Sequence, residues 1–357
     1  LQRLIASRGF QSWAARFPLT RRRVRREGEA LFDLVAGFCH SQVLMALVQL
    51  DLPQSLLAGP KRLADLSRAT AVPEARLLVL LQAAAALGLV RQGRRGAWGL
   101  THRGAALAGV PGLQEMIRHH DLLYRDLGDP AAFFRGETVP ELAGFWPYVF
   151  GGAVPPERAE TYSRLMADSQ HLVAEDTLAT LNFRGISHLM DVGGGTGAFL
   201  ATVGQAWSGM DLTLFDLPQV VPAARARFAA GGLSERVTIA EGSFRTGALP
   251  RGADAISLVR VLYDHEESTV AALLARCFEA LPPGGRLIIS EPMSGGRKPE
   301  RAGDAYFAIY TLAMGTGKAR SAAEIGALCR AAGFRRVRAP KPRRAFVTSC
   351  LEARKPG

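Results

Sequence analysis

Cysteine is scarce in this chain, and the four present fall in unrelated places. Cys39, Cys277, Cys329 and Cys350 show no C-x-x-C spacing, which argues against a disulfide framework and against a zinc site, so reduced and mostly buried thiols are expected. Long apolar runs are also missing: the longest stretch, Ala75 to Val90, is interrupted by Arg76 and Gln82 and is too short for a bilayer. No signal of charged, then apolar, then small residues opens the chain, and a cytoplasmic protein is expected. Acidic residues are outnumbered, 32 Asp and Glu against 44 Lys and Arg, for a net charge of +12. The excess sits at the ends. Residues 1–30 hold eight Arg against Glu27 and Glu29, residues 335–357 hold eight Lys or Arg against Glu352, and the middle is close to neutral. Such ends suit contact with a polyanion, nucleic acid or an anionic membrane surface, or are solvated tails.

What is plentiful is material for cores, 48% apolar residues in 357, enough for two domains. Four segments are expected. Residues 1–28 read as a basic, partly helical arm. Over 29–57, apolar positions recur every three to four residues, implying two helices. Over 61–107 a short helix, a turn, a longer helix opened by Pro73 and Glu74, and two short strands around "GRRG" give a winged-helix pattern. Its second helix carries almost nothing to read base edges, only Glu74, Arg76 and Gln82 being polar between Pro73 and Leu87. It is therefore read as buried and structural, within a homodimerising domain over 29–110 with no nucleic-acid partner. Residues 111–185 form a helical linker and lid over substrate and cofactor. From 186 to 357 strands such as "HLMDV", "TLFDL", "AISLV" and "RLIISE" alternate with helical segments, which gives α/β architecture: a Rossmann-like, doubly wound domain behind a mostly helical one.

The stretch "LMDVGGGTGAFL" (189–200) describes strand, tight turn and helix. Glycines let a backbone take positive φ or approach a ligand, in dinucleotide enzymes and methyltransferases alike. Asp216, ending the next strand, is placed to accept from ribose hydroxyls in either class. Asp191 separates them, because a carboxylate just before the glycines repels a pyrophosphate and suits a cation.

The order of "DVGGGTG", "FDLP", "EGSF", "LVRVLYDHEE", "LPPGGRLIISEPM" and a late "AGF" resembles class I S-adenosylmethionine (SAM)-dependent small-molecule O-methyltransferases of the caffeate and hydroxyindole type. The resemblance implies SAM as cofactor, no metal, and Asp191 near the cationic methionine end. It further implies Gly193 and Gly195 against the methionine portion, Asp216 and Leu217 on the ribose and adenine, and Gly242, Ser243 and Phe244 along the adenine. Arg260 falls near a cofactor-adjacent basic position, and Met166 and Ser169 match a helix that closes over SAM. Ser243 departs from the plant members, which have Asp there.

The same resemblance puts a catalytic histidine after the fourth strand, where this chain has Tyr263, with His265 two residues on. Asp264 and Glu267 also read as a capping box at a helix start. In an extended segment Tyr263 and His265 point to one side. With a reference pKa of about 6.5 against about 10 for tyrosine, His265 is the expected base, with Tyr263 orienting the hydroxyl. Glu291 matches one carboxylate that flanks the base in plant members, and Ala319 stands where the second would be. An aliphatic alcohol fits such a site better than a phenol, since its oxygen attacks while neutral and becomes acidic only as the bond forms. Further stretches, "GEALFDLVAGFCHSQVL", "FWPYVFGG" and "RVLYDHEE" among them, resemble the carotenoid hydroxyl O-methyltransferase branch of purple photosynthetic bacteria. That implies an acyclic hydroxycarotenoid as partner and peripheral contact with the photosynthetic membrane. Phe145, Trp146, Tyr306 and Tyr310 are the candidate apolar pocket. A phenolic or polyketide acceptor and a SAM-sensing winged-helix regulator are the alternatives.

Overall fold

The computed structural model describes residues 1–145 and 169–357, residue 145 by its backbone alone; Trp146, Met166 and the Phe145 side chain lie outside the described residues. The chain divides into two compact units, Leu1–Arg118 and His119–Gly357.

In the first unit the arginine-rich start is helical: Gln2–Ile5, Arg8–Arg16, and then one helix, Arg21–Gln49. The expected boundary at 28/29 therefore falls inside a continuous helix. The composition changes from arginine to apolar there, while the backbone does not. By length and composition this helix could cross a membrane, with a mean hydropathy of 1.7 over 18 residues, of which 17% are buried. Asp33, His40, Ser41 and Gln42 interrupt its apolar residues, so it shows no unbroken run in the sequence. The winged-helix pattern holds. Helices Leu63–Thr70 and Glu74–Ala86 precede β1 (Val90–Gln92) and β2 (Trp98–Leu100), which pair antiparallel. Helix Glu74–Ala86 is not buried all round as expected; it buries Leu77, Leu81 and Ala84, and Val79 stays 65% exposed.

The second unit carries a seven-stranded sheet: β3 (His188–Val192), β4 (Asp211–Asp216), β5 (Val237–Glu241), β6 (Ala255–Val259), β7 (Arg286–Glu291), β8 (Arg335–Arg338) and β9 (Ser349–Arg354). Their order is β5-β4-β3-β6-β7-β9-β8, parallel through β7, with β9 antiparallel to both neighbours. Alternate residues feed two cores, as the period of two in a strand requires. Met190, Ile256 and Leu258 pack with helices Glu267–Ala280 and Ala322–Ala331; Leu189, Ala255 and Val259 pack with Ala198–Ala206, Val221–Ala230 and a helix over 169–180. The strand order reverses between β3 and β6, and ligands of such sheets bind beyond the carboxyl ends of the strands at that reversal.

The basic C-terminal stretch is in part tied into the fold. Glu352, in mid-sheet, is held by Arg286 at 3.0 Å and Arg338 at 2.6 Å, Arg344 pairs with Asp176 at 2.7 Å, and Lys355 Nζ donates to the carbonyls of Phe278 and Leu281. A buried carboxylate is tolerated when its charge is paired, and these cations serve that purpose. Arg335, Arg336, Arg338, Lys341 and Arg343 remain exposed, as do most of the N-terminal arginines. All four cysteines are free, Cys39 alone being exposed.

Candidate active site

Near the end of β3 lies Asp191, whose carboxylate is buried and accepts from Ser257 Oγ at 2.6 Å. The parallel register of β3 and β6 places those two residues side by side. The other oxygen, Oδ2, is buried without a hydrogen-bond partner. Burial, with the negative charge of Asp216 added, pushes this carboxyl up to about 7 against the Ser257 hydrogen bond. Gly193 and Gly195 follow at φ +70° and +59°. A Cβ on Gly194 would meet Asp191 Oδ2 at 2.4 Å, whereas nothing lies within 4 Å of one on Gly195. The turn is thus packed tightly underneath and open above. Gly195 N–H donates to Asp216 Oδ2 and Leu217 N–H to Oδ1, both at 2.7 Å, and Gly242 N–H donates to the Asp216 carbonyl at 2.9 Å. Burial raises the Asp216 carboxyl while those two N–H bonds to its oxygens oppose the rise.

The adenine-side residues expected from the sequence converge on the same turn. Phe244 lies 3.7 Å from a Cβ placed on Gly193, Ser243 Oγ accepts from Arg245 N–H at 3.2 Å, and Arg276 donates to the carbonyls of Phe244 and Arg245. Arg260 leaves β6 at φ +57°, a left-handed conformation that a non-glycine residue holds only under constraint and often at functional sites. Its guanidinium donates to Ser169 Oγ at 2.7 Å, so two expected cofactor contacts meet.

The segment after β6 departs from expectation. Leu262–Asp264 is a turn of 3₁₀ helix, not an extended segment, so side chains two residues apart diverge. His265 turns toward Phe244, ring centroids 5.4 Å apart, and its Nδ1 accepts from Arg245 at 3.2 Å. Burial, helped by the charges of Arg245 and Arg320, lowers its pKa to about 4. Tyr263 faces Arg260 and Asp264 instead; burial raises its pKa, Asp264 adds to the rise and Arg260 opposes it. The expected capping box is absent: the helix starts at Glu267 behind Glu266, without a side-chain cap, and the capping box that forms is Ser321 with Glu324.

Glu291 braces the backbone rather than the imidazole. Its Oε1 accepts from Val261 N–H at 3.0 Å and Leu262 N–H at 2.7 Å, and its Oε2 from Tyr263 N–H at 3.2 Å. Burial pushes the carboxyl up to about 7 against those bonds. From the other side Arg320, 2% exposed, donates to the carbonyls of Leu262 at 3.0 Å and His265 at 2.9 Å. Lys318 N–H reaches the Tyr263 carbonyl at 2.9 Å and Thr316 Oγ1 the Asp264 carbonyl at 3.0 Å. The turn is clamped between a carboxylate on its N–H end and a guanidinium on its C=O end. Sequence reasoning looked for the second brace at Ala319 and missed Arg320 beside it. It also missed His119 and His120, which reach Tyr310 and Tyr306 at 2.7 and 2.5 Å. The adjacent histidines in "IRHHDLLYRD" were the one local signal.

An unpartnered buried carboxylate oxygen under an open glycine turn, a second carboxylate one strand away and an aromatic wall define the fold and cleft of a SAM-dependent methyltransferase, and the residues present fit that cofactor. Residues 124–335 match the O-methyltransferase domain and residues 32–109 the O-methyltransferase dimerisation domain. The chain belongs to the O-methyltransferase family, uses SAM, and carries the domain by which that family dimerises. It is 54% identical over 356 residues to a protein of Cereibacter sphaeroides named demethylspheroidene O-methyltransferase, covering 99% of this chain and 94% of that one. A Rhodobacter capsulatus protein of the same name is 54% identical over 340 residues, 95% of this chain and 85% of that one. Among solved structures, human N-acetylserotonin methyltransferase in complex with SAM shares the fold at a TM-score of 0.77 and 24% identity, over 93% of this chain and 98% of that one.

Proposed function

We propose that the chain transfers the methyl group of SAM to the tertiary C1 hydroxyl of an acyclic hydroxycarotenoid of the demethylspheroidene type. The observation that carries this is the 54% identity along nearly the whole chain to relatives so named. SAM, when bound, supplies an electrophilic methyl on a cationic sulfur. Asp191, Gly193 and Gly195 hold its methionine end together with Arg260 and Ser169; Asp216 and Leu217 hold the ribose; Gly242, Ser243 and Phe244 flank the adenine. The chain's own task is to place a neutral alcohol oxygen in a dry pocket, in line with the methyl, and to take its proton as the new bond forms.

The substrate is a bilayer solute, and the N-terminal arm suits a surface of anionic lipid. Leu4, Ile5, Trp13 and Phe17 are exposed there, and Arg8, Arg16 and Arg21 to Arg23 flank them. Labelled SAM with the hydroxycarotenoid in lipid vesicles, beside a catechol in solution, tests both points. Label should enter the carotenoid, several-fold faster from anionic than from zwitterionic vesicles. Label in the catechol alone would remove the carotenoid reading, and equal rates from both vesicles would remove the membrane contact.

His265 belongs to the adenine side of this arrangement. His265→Ala is expected to raise KM for SAM several-fold and to keep kcat within about tenfold of wild type. A kcat loss of about 10² to 10⁴, the usual size of a general-base effect, at unchanged SAM affinity would restore it as the proton acceptor.

A further inference from the structure

Tyr306 carries a hydroxyl with an imidazole beside it. Tyr306 lies in the π-helical turn Gly303–Phe307, which runs into helix Ala308–Met314. Such turns are rare and gather at functional sites, where the extra residue re-aims a side chain. This one is fastened to the segment leaving β7. Asp304 Oδ2 accepts the N–H groups of Gly295 and Glu300 at 2.8 and 2.7 Å, and a Cβ on Gly303 would come within 2.1 Å of the Met293 carbonyl oxygen. Tyr306 is thereby held near the carboxyl end of β7. Burial raises the Tyr306 pKa and the charge of Arg260 opposes the rise. The same guanidinium faces Tyr263 and binds Ser169. Behind Tyr306 stands an imidazole, His120 Nε2 at 2.5 Å.

We propose that Tyr306 Oη hydrogen-bonds the acceptor hydroxyl and that the Tyr306–His120 pair takes its proton during methyl transfer. The acceptor oxygen's lone pair forms the bond to the methyl carbon while the carbon–sulfur pair returns to sulfur, leaving a strongly acidic oxygen. Its proton moves to Tyr306 Oη, the phenol's own proton moves to His120 Nε2, and half-buried His120 returns a proton to solvent. Tyr306 touches the reacting oxygen; His120 acts through it. The groups facing His120 are Tyr306, Tyr124 on its own helix, with ring centroids 6.5 Å apart, and His119, itself bonded to Tyr310. Burial lowers the pKa of both histidines and holds them neutral at pH 7. A weak base suffices for a donor that acidic.

The inference rests on the reading of the acceptor as an alcohol. Tyr306→Phe and His120→Gln, assayed at saturating SAM, are each expected to lower kcat by about 10²-fold with SAM affinity unchanged. A second readout needs no turnover: tryptophan-fluorescence titration of the hydroxycarotenoid and of its methyl ether, in the presence of S-adenosylhomocysteine. Wild type and His120→Gln should prefer the alcohol, and Tyr306→Phe should bind both alike. His120→Gln keeps a side-chain acceptor for the tyrosine and loses only proton uptake, so a lowered kcat with intact preference separates relay from scaffolding. Tyr306→Phe that keeps either kcat or the preference would overturn the proposal. Failure of the substrate reading shows differently, as wild-type label entering the catechol, and the same variants are then read on that acceptor.

Discussion

Glu291→Ala should lower thermal stability sharply and leave a folded fraction that transfers methyl groups at a small percentage of the wild-type rate. Three backbone N–H groups, of Val261, Leu262 and Tyr263, lose their acceptor at once, and leaving a buried donor unsatisfied costs about 1–3 kcal/mol each, not fully additively. A loss of about 3–5 kcal/mol is expected, a large share of the stability of an ordinary domain. Glu291→Gln is the informative partner. It keeps one carbonyl oxygen for Val261 and Leu262 and turns an N–H₂ toward the Tyr263 N–H, so about half the loss should return. The two variants also differ from wild type in pH dependence. The folded carboxyl sits at about 7, above its ordinary value of 4.5, so the folded state binds more protons than the unfolded between those values. Its contribution to stability is complete below about 4.5 and is lost as pH rises through 7. Melting curves from pH 5 to 8 should flatten in Glu291→Gln. Unchanged melting and turnover in Glu291→Ala would show that Arg320, Lys318 and Thr316 hold the turn without it.

That clamp marks where the sequence stops being readable. The strands read from "HLMDV", "TLFDL", "AISLV" and "RLIISE" and the two strands of the wing lie where the sequence put them, because a short apolar run between turn residues is a local property. Asp191 and Asp216 were legible for the same reason: each lies at or near the end of a strand, beside glycines or before Leu-Pro. The shape of residues 262–264 was not. Nothing within the segment distinguishes extended chain from 3₁₀ turn; the choice is made by Glu291 on the next strand and by Arg320, 58 residues from the carbonyl it binds. Once the turn forms, Tyr263 and His265 part company, and a role assigned to the pair by spacing no longer follows. The C-terminal arginines misled in the same way. Their count suggests a basic surface, which Arg335, Arg336 and Arg343 keep, but Arg338 pairs with Glu352 in the strand beside β7 and Arg344 with Asp176, pairings that composition does not show. The contact between His120 and Tyr306 spans 186 positions. Only the tertiary fold brings them together.

Asp191 gives the second large effect, and its sign follows from where the carboxyl titrates. Without cofactor it stands at about 7, mainly through burial, so a substantial fraction is protonated at neutral pH. A cationic ligand beside Oδ2, the oxygen that lacks a partner, favours the ionised form and draws the pKa down. Binding therefore releases a proton below pH 7, and SAM affinity should fall roughly tenfold for each pH unit below that value and level off above it. Asp191→Asn keeps the carbonyl that accepts from Ser257 and removes the charge. Hydrogen bonds to charged groups are worth about 1.5–3 kcal/mol, so SAM affinity above pH 7 should drop by about 10- to 100-fold and lose its acid limb. Titration calorimetry in two buffers of different ionisation enthalpy reads both affinity and proton release. A wild-type affinity that is flat from pH 5.5 to 8, with no buffer-dependent heat, would mean that Asp191 does not change protonation on binding, and unchanged affinity in Asp191→Asn would then show that it holds the glycine turn rather than the charge above it.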